Sequence, residues 1–357
     1  MRPPAPRPAL DAVPVYVPKP PVARRTGTSY RLFLNENPYP PLPSVVDVVT
    51  QAALDSNHYP ETMPGDLVAA IAARLGVPES TVVTGPGSVG IYQQVAQAML
   101  REGDEVVYAW PSFEAYPIVA GIAGTRAVEV PLRDGVHDLA SMAARVSTRT
   151  RMVFLCDPNN PTGTALRHRD VARFLAAIPE SVLVVLDEAY REFAGDPGAV
   201  DGVALCRDHA NLVTLRTFSK AYGLAGLRIG YGVAHPVVAA ALRKCAVPCG
   251  VNNIAVKAAI ASLGAERELF TRVDRIVRDR DELRAALLER GLPVLPSDTN
   301  FLWLPLAERA ERVAGSLESA GLMTRLYPGE GIRLTVGSAT ANALVLSTLD
   351  SVLSGTG

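Results

Sequence analysis

Lys220 stands in the stretch TLRTFSKAYGLAGLRIGY (214–231), just past an apolar run, 211–215, with the look of a buried strand. An amine placed there is unfavourable unless something uses it. Lysine is also scarce: Lys19, Lys220, Lys244 and Lys257 are the only lysines among 35 Lys+Arg. Arginine meets the chain's need for positive charge and does not serve as a Schiff-base amine, so Lys220 reads as a nucleophilic nitrogen. Ser219 beside it offers a hydroxyl, and Arg228 a fork of donors suited to a phosphate. Gly223, Gly226 and Gly230 let the backbone come close to a ligand.

Other groups with chemical potential also follow apolar runs. Asp187 closes LVVLD, where a buried carboxylate needs a positive partner. Phe113, in WPSF (110–113), is an aromatic plate able to stack on a ring. Asn160 lies in DPNNPTG (157–163), Tyr190 in DEAY (187–190) and Arg333 in GIRLTVG (331–337). Singly, each fits a structural role too: DPNNPTG is a good turn, Asp187 a plausible helix cap, Arg333 a solvated strand arginine.

TVVTGPGSVG (81–90) carries G-x-G-x-x-G at Gly85, Gly87 and Gly90, between an apolar run and the helical IYQQVAQAML. That is the dinucleotide-binding pattern. A fingerprint of this kind normally sits on the first strand of its domain, whereas here about 80 residues of helix and turn precede it. No separate catalytic domain for a dehydrogenase is evident either. What survives is the shared physics, backbone N–H groups at a helix N-terminus cradling a phosphate, and this assigns Gly87 and Ser88 to that task.

TFSKAYGLAGLRIGY (217–231) resembles the cofactor-lysine segment of the fold type I pyridoxal-phosphate-dependent aminotransferases, in their histidinol-phosphate and aromatic amino acid branch. LFLNENPYPP (32–41), NHYPET (57–62), AVPVYVP (12–18) and SFEAYP (112–117) extend the likeness over almost the whole chain. The resemblance implies pyridoxal 5'-phosphate held by Lys220 as a Schiff base, with Lys220 then moving a proton as general acid–base. It gives the ring nitrogen to Asp187 and the ring's phenolic oxygen to Asn160 and Tyr190. Phe113 stacks where tyrosine is common. Gly87, Ser88, Thr217, Ser219 and Arg228 hold the phosphate, joined by Tyr59 from the neighbouring subunit of a homodimer. Arg333 takes the substrate α-carboxylate, with Tyr16 and Asn300 at the substrate's edge. Trp303 and Phe113 are further candidates for apolar pocket surface.

The implied reaction moves an amino group between phenylalanine or tyrosine and 2-oxoglutarate. Histidinol phosphate is the alternative substrate, its phosphate using Arg333. A phosphothreonine-type decarboxylase shares the fold, a dehydrogenase accounts for GPGSVG alone, and a cofactor-binding regulator lacks residues for a DNA-binding module.

The elements that must position these groups are legible as β–α alternation. Strands are expected at 105–109, 127–130, 152–156, 182–186 and 212–215, with helices between most of them. This predicts an α/β chain with a mostly parallel, seven-stranded-type sheet covered by helices. The charged, periodic 266–290 reads as a long helix into a small α+β unit with strands at VLP, FLWLPL, TRLY and IRLTVG. The expected division is a large cofactor unit over 31–265, and a small unit of 266–357 with a proline-rich arm, 1–30. The 357 residues, 48% hydrophobic and with formal net charge -1, are enough for two domains and argue against a nucleic-acid partner. No apolar run approaches the ~20 residues of a membrane span, and MRPPAPRPAL lacks a signal-peptide core. Cys156, Cys206, Cys245 and Cys249 lack metal-site spacing, so no metal is expected, and a reducing cytoplasmic setting is.

Overall fold

The computed structural model describes residues 4–14 and 29–354. The strands are Tyr30–Leu32 (β1), Val82–Gly85 (β2), Glu105–Trp110 (β3), Arg126–Pro131 (β4), Thr150–Cys156 (β5), Leu183–Asp187 (β6), Leu212–Thr217 (β7), Gly230–Ala234 (β8), Phe301–Leu304 (β9), Leu322–Tyr327 (β10) and Gly331–Thr335 (β11). Seven of them make one sheet in the order β2-β8-β7-β6-β5-β3-β4. From β4 to β7 the pairs are parallel, and β8 runs antiparallel to both β7 and β2. All residues of β6, β7 and β8 are buried, as befits strands covered on both faces.

Alternate residues feed two cores. Val106, Tyr108, Phe154 and Val185 face one, beneath the helices Gly87–Met99, Ala115–Ala123 and Pro236–Lys244. Val107, Ala109, Leu155 and Val184 face the other, beneath His168–Ala177 and its neighbours. The period matters for the site: Asp187, two residues past Val185, points to the first face.

Among the described residues β2 is an edge strand bonded to β8 alone, antiparallel. The parallel βα unit that a dinucleotide fingerprint requires is therefore absent at Gly85–Gly90.

A second sheet has the order β1-β10-β11-β9, with β1 parallel to β10 and the other pairs antiparallel. Its first strand comes from the chain's beginning, so the division expected at residue 31 falls inside β1. VLP (294–296) is irregular rather than a strand. The helix Glu266–Glu289 joins the two sheets, packing Leu269, Val273 and Ile276 with the large sheet's helices and Leu283 and Leu287 with the small core. Residues 8–12 form a short 3-10 turn, and Arg7 Nη2 bonds Ile122 O at 2.8 Å, tying residues 4–14 to the helix Ala115–Ala123. Among the described residues no helix is long and apolar enough to cross a membrane.

Candidate active site

The loops after β3, β5, β6 and β7 meet the segment after β1 and the strands β10 and β11 around a cleft of about 570 Å³. This is the carboxyl end of the parallel strands, where such sheets place ligands. Two clefts of similar size, about 640 and 620 Å³, lie against the helix His168–Ala177 and around Arg216; neither is lined by Lys220 or Asp187.

At one end Gly87 opens the helix Gly87–Met99. Its φ is +72°, and a Cβ there would sit 2.5 Å from Arg228 Nη2. A Cβ on Gly230 would come within 2.8 Å of the Ser88 nitrogen. Two glycines thus let the guanidinium and β8 close on a helix N-terminus, whose free N–H groups and dipole favour an anion. Arg228 Nη1 donates to Ser219 Oγ at 3.4 Å. Thr217 Oγ1 donates to the same oxygen at 3.0 Å and accepts the Ser219 N–H at 3.1 Å. Ser88, Thr217, Ser219 and Arg228 all line the cleft.

Lys220 lies half-buried in the middle. Its Nζ donates to Leu34 O at 2.8 Å and stands 5.9 Å from the Tyr190 ring centroid. Burial, then the charges of Arg333 and Arg228, bring the ammonium down to about 7, with Glu36 and Asp187 opposing. The amine is thereby readied as a nucleophile at neutral pH.

Asp187 is buried and accepts from three donors of the protein. The Tyr92 hydroxyl donates to Oδ2, as does Tyr116 at 3.1 Å, while the Ala189 N–H reaches Oδ1 at 3.1 Å. Burial pushes this carboxyl up, and the phenols and the amide pull it down. Phe113 lines the cleft and packs edge-on against Tyr116, centroids 5.8 Å apart.

Across the cleft, Arg333 is 7% exposed on β11. Nη1 bonds Asn160 Oδ1 and Nη2 bonds Phe33 O, while Nε is buried with no partner among the described residues. The Tyr190 hydroxyl accepts from Asn35 Nδ2 at 2.8 Å. Arg325 also lines the cleft and pairs with Glu114.

Some expected residues lie elsewhere. Asn300 is fully buried one layer back, its Nδ2 donating to Asn35 O at 3.0 Å. The reason is its place just ahead of β9, in the interior of the small unit. Trp303 packs edge-on against Tyr327 and does not line the cleft. Tyr59 is 91% exposed on a loop, away from the cleft of its own chain. Tyr16 lies outside the described residues. Sequence reasoning missed Asn35, Glu114, Arg325 and the pair Tyr92 and Tyr116. The available signal was a tyrosine on each of two buried helices, since a buried phenol needs an acceptor.

A sequence model of the family described as aminotransferase class I and II matches residues 30–345. An aromatic amino acid aminotransferase of Streptomyces coelicolor is 52% identical over 341 residues, covering 95% of each chain. A protein of the same name from Thermobifida fusca is 50% identical over 346 residues, covering 97% of this chain and 96% of that one. The crystal structure of histidinol-phosphate aminotransferase from Sinorhizobium meliloti, in complex with pyridoxal-5'-phosphate, superimposes with a TM-score of 0.87 at 32% identity, covering 91% of each chain.

Proposed function

Because the chain belongs to the class I and II aminotransferases, we propose that it exchanges an amino group between phenylalanine or tyrosine and 2-oxoglutarate, with pyridoxal phosphate held at Lys220. The observation that carries this is the meeting of Lys220, Asp187 and Arg333 in one cleft with an anion cradle at its end.

The residues present fit that cofactor. Gly87, Ser88, Thr217, Ser219 and Arg228 would hold its phosphate, Asp187 its ring nitrogen, Asn160 and Tyr190 its phenolic oxygen, and Phe113 one ring face. Pyridoxal phosphate, when bound, supplies an aldehyde that condenses with amines and a protonated ring that accepts electrons.

The chain's own groups do the rest. Lys220, with its lowered basicity, takes and returns the proton at the substrate α-carbon as general acid–base. Arg333, which lines the cleft, binds the α-carboxylate, to which a planar guanidinium is matched. Phe33, Leu34, Val89 and Phe113 give the cleft apolar surface. Burying an aromatic ring there adds about 1.5–3 kcal/mol, roughly tenfold or more in preference over alanine.

Two features support phenylalanine and tyrosine over histidinol phosphate: the names of the relatives above, and Glu114, which offsets the charge of Arg325. The exposed phenol of Tyr59 supports a homodimer in which it reaches the partner's phosphate end. Four free cysteines agree with a reducing cytoplasm.

The test is a panel of phenylalanine, tyrosine, histidinol phosphate, leucine and phosphothreonine, each with 2-oxoglutarate, compared by kcat/KM. Phenylalanine or tyrosine should lead. A lead for histidinol phosphate would overturn the substrate and keep the chemistry; amino transfer to none of them would overturn both.

A further inference from the structure

Asp187 is gripped on the side away from the cleft by two phenols that the reaction above leaves unused. Tyr92 comes from the helix Gly87–Met99 and Tyr116 from Ala115–Ala123, and both hydroxyls converge on Oδ2. Both side chains are fully buried. Their rings are locked: Tyr116 stacks on Phe154 at 4.4 Å and 9°, and Tyr92 meets Phe154 edge-on at 5.8 Å and 86°. Neither phenol can turn away without unpacking this cluster.

The count of lone pairs gives the arrangement its direction. A carboxylate has about four acceptor sites. Two on Oδ2 go to the phenols and one on Oδ1 to the Ala189 N–H, so the remaining site is on Oδ1 of a residue that lines the cleft. The kind of donor matters as well. A lysine or arginine at Oδ2 would cancel the negative charge and repel a protonated ring. Neutral hydroxyls stabilise the anion and leave its charge intact.

We propose that Tyr92 and Tyr116 are positioning residues that keep Asp187 ionised and aim Oδ1 into the cleft, so that the proton shared with the cofactor's ring nitrogen resides on the nitrogen. No proton is gained or lost overall. The same one sits on nitrogen instead of on the carboxyl oxygen. This rests on the reading of the cleft as a pyridoxal phosphate site.

The test reconstitutes cofactor-free wild type, Tyr92→Phe, Tyr116→Phe and the double variant with pyridoxal phosphate labelled with nitrogen-15 in the ring. The ring nitrogen's chemical shift reports where the proton lies. In the wild type it should mark a protonated ring, and the double variant should move it toward neutral pyridine, each single variant part of the way. Cofactor Kd should weaken on the order of tenfold in the double variant. With Asp187→Asn as background, Tyr92→Phe should produce no further change, which a purely structural role would not predict. Should the double variant fail to fold by circular dichroism, the single variants decide. Unmoved nitrogen shifts and an unchanged Kd in folded variants overturn the proposal. Borohydride trapping on wild type separates the two levels: cofactor fixed at Lys220 with unmoved shifts sinks this inference alone, whereas no fixed cofactor sinks the reading beneath it.

Discussion

The side-chain amide of Asn35 donates to the Tyr190 hydroxyl at 2.8 Å across 155 residues of sequence. Thr335 sets the amide's orientation: its hydroxyl donates to Asn35 Oδ1 at 3.0 Å and accepts the Asn35 N–H at 3.1 Å. A hydroxyl that accepts from Asn35 keeps its own proton for another partner, and Tyr190 lines the cleft. Asn35 has a φ of 54°, a left-handed conformation that asparagine tolerates better than most residues.

Asn35→Gly keeps that backbone and removes the donor. The variant should fold, and kcat for phenylalanine should fall about fivefold, the equivalent of one hydrogen bond worth ~1 kcal/mol. Wild-type kcat in this variant would show that Tyr190 needs no such orientation.

Capture of the cofactor should follow the Lys220 amine. The neutral form attacks, and its conjugate acid lies at about 7 instead of the usual 10.5. The rate at which cofactor-free protein gains a visible absorbance band should therefore rise with pH through about 7 and level off above it. A rise continuing toward 10.5 would contradict the burial argument. Lys220→Ala should fold and lose turnover by more than about 10³-fold. Peptide mapping of borohydride-reduced wild type should find the cofactor on Lys220, not on Lys244 or Lys257.

Glu114 should set the preference for uncharged side chains. Glu114→Gln frees Arg325, so kcat/KM for histidinol phosphate relative to phenylalanine should rise at least about tenfold. An unchanged ratio would mean that Arg325 never meets the substrate's side chain.

Tyr59 tests the shared site. Tyr59→Phe alone should be impaired and Lys220→Ala inactive. In a mixed dimer both lesions would share one site, leaving the other whole, and activity should return to about half that of wild type. Sedimentation as a monomer would remove the basis for this prediction.

What the sequence disclosed follows from the distance over which each feature is determined. β5 and β6 are apolar runs that end in DPNNPTG and DEAY, so the strand, the turn and the functional side chain are coded side by side. The three-residue β1 is defined by its pairing with β10, 292 positions later, and nothing local announces it. β8, written GYGVA, owes its strand geometry to neighbours on both sides. VLP has strand composition, yet Pro293 before it and its own Pro296 remove donors a ladder would need. Within the site, Lys220 and Asp187 were legible because a buried charge demands a purpose. Tyr92 and Tyr116 were not, because tyrosine on an apolar helix face reads as core, and only the assembled fold shows what its hydroxyl touches.

The small sheet is closed by strands drawn from the two ends of the chain. During synthesis the large sheet has all seven strands once residue 234 has emerged, but the bonds of Phe33 to Arg333 and of Asn35 to Thr335 form only when β11 exists. The amine, the carboxylate and the anion cradle are thus made early, while Arg333, proposed to bind the substrate carboxylate, arrives last. A nascent or C-terminally cut chain ending before Gly331 would keep Lys220 and Asp187 without Arg333. Contacts spanning 300 residues also make this the slow, non-local part of folding. With Arg333 in its proposed role, substrate recognition is a check on completeness, available only to a chain that has been finished.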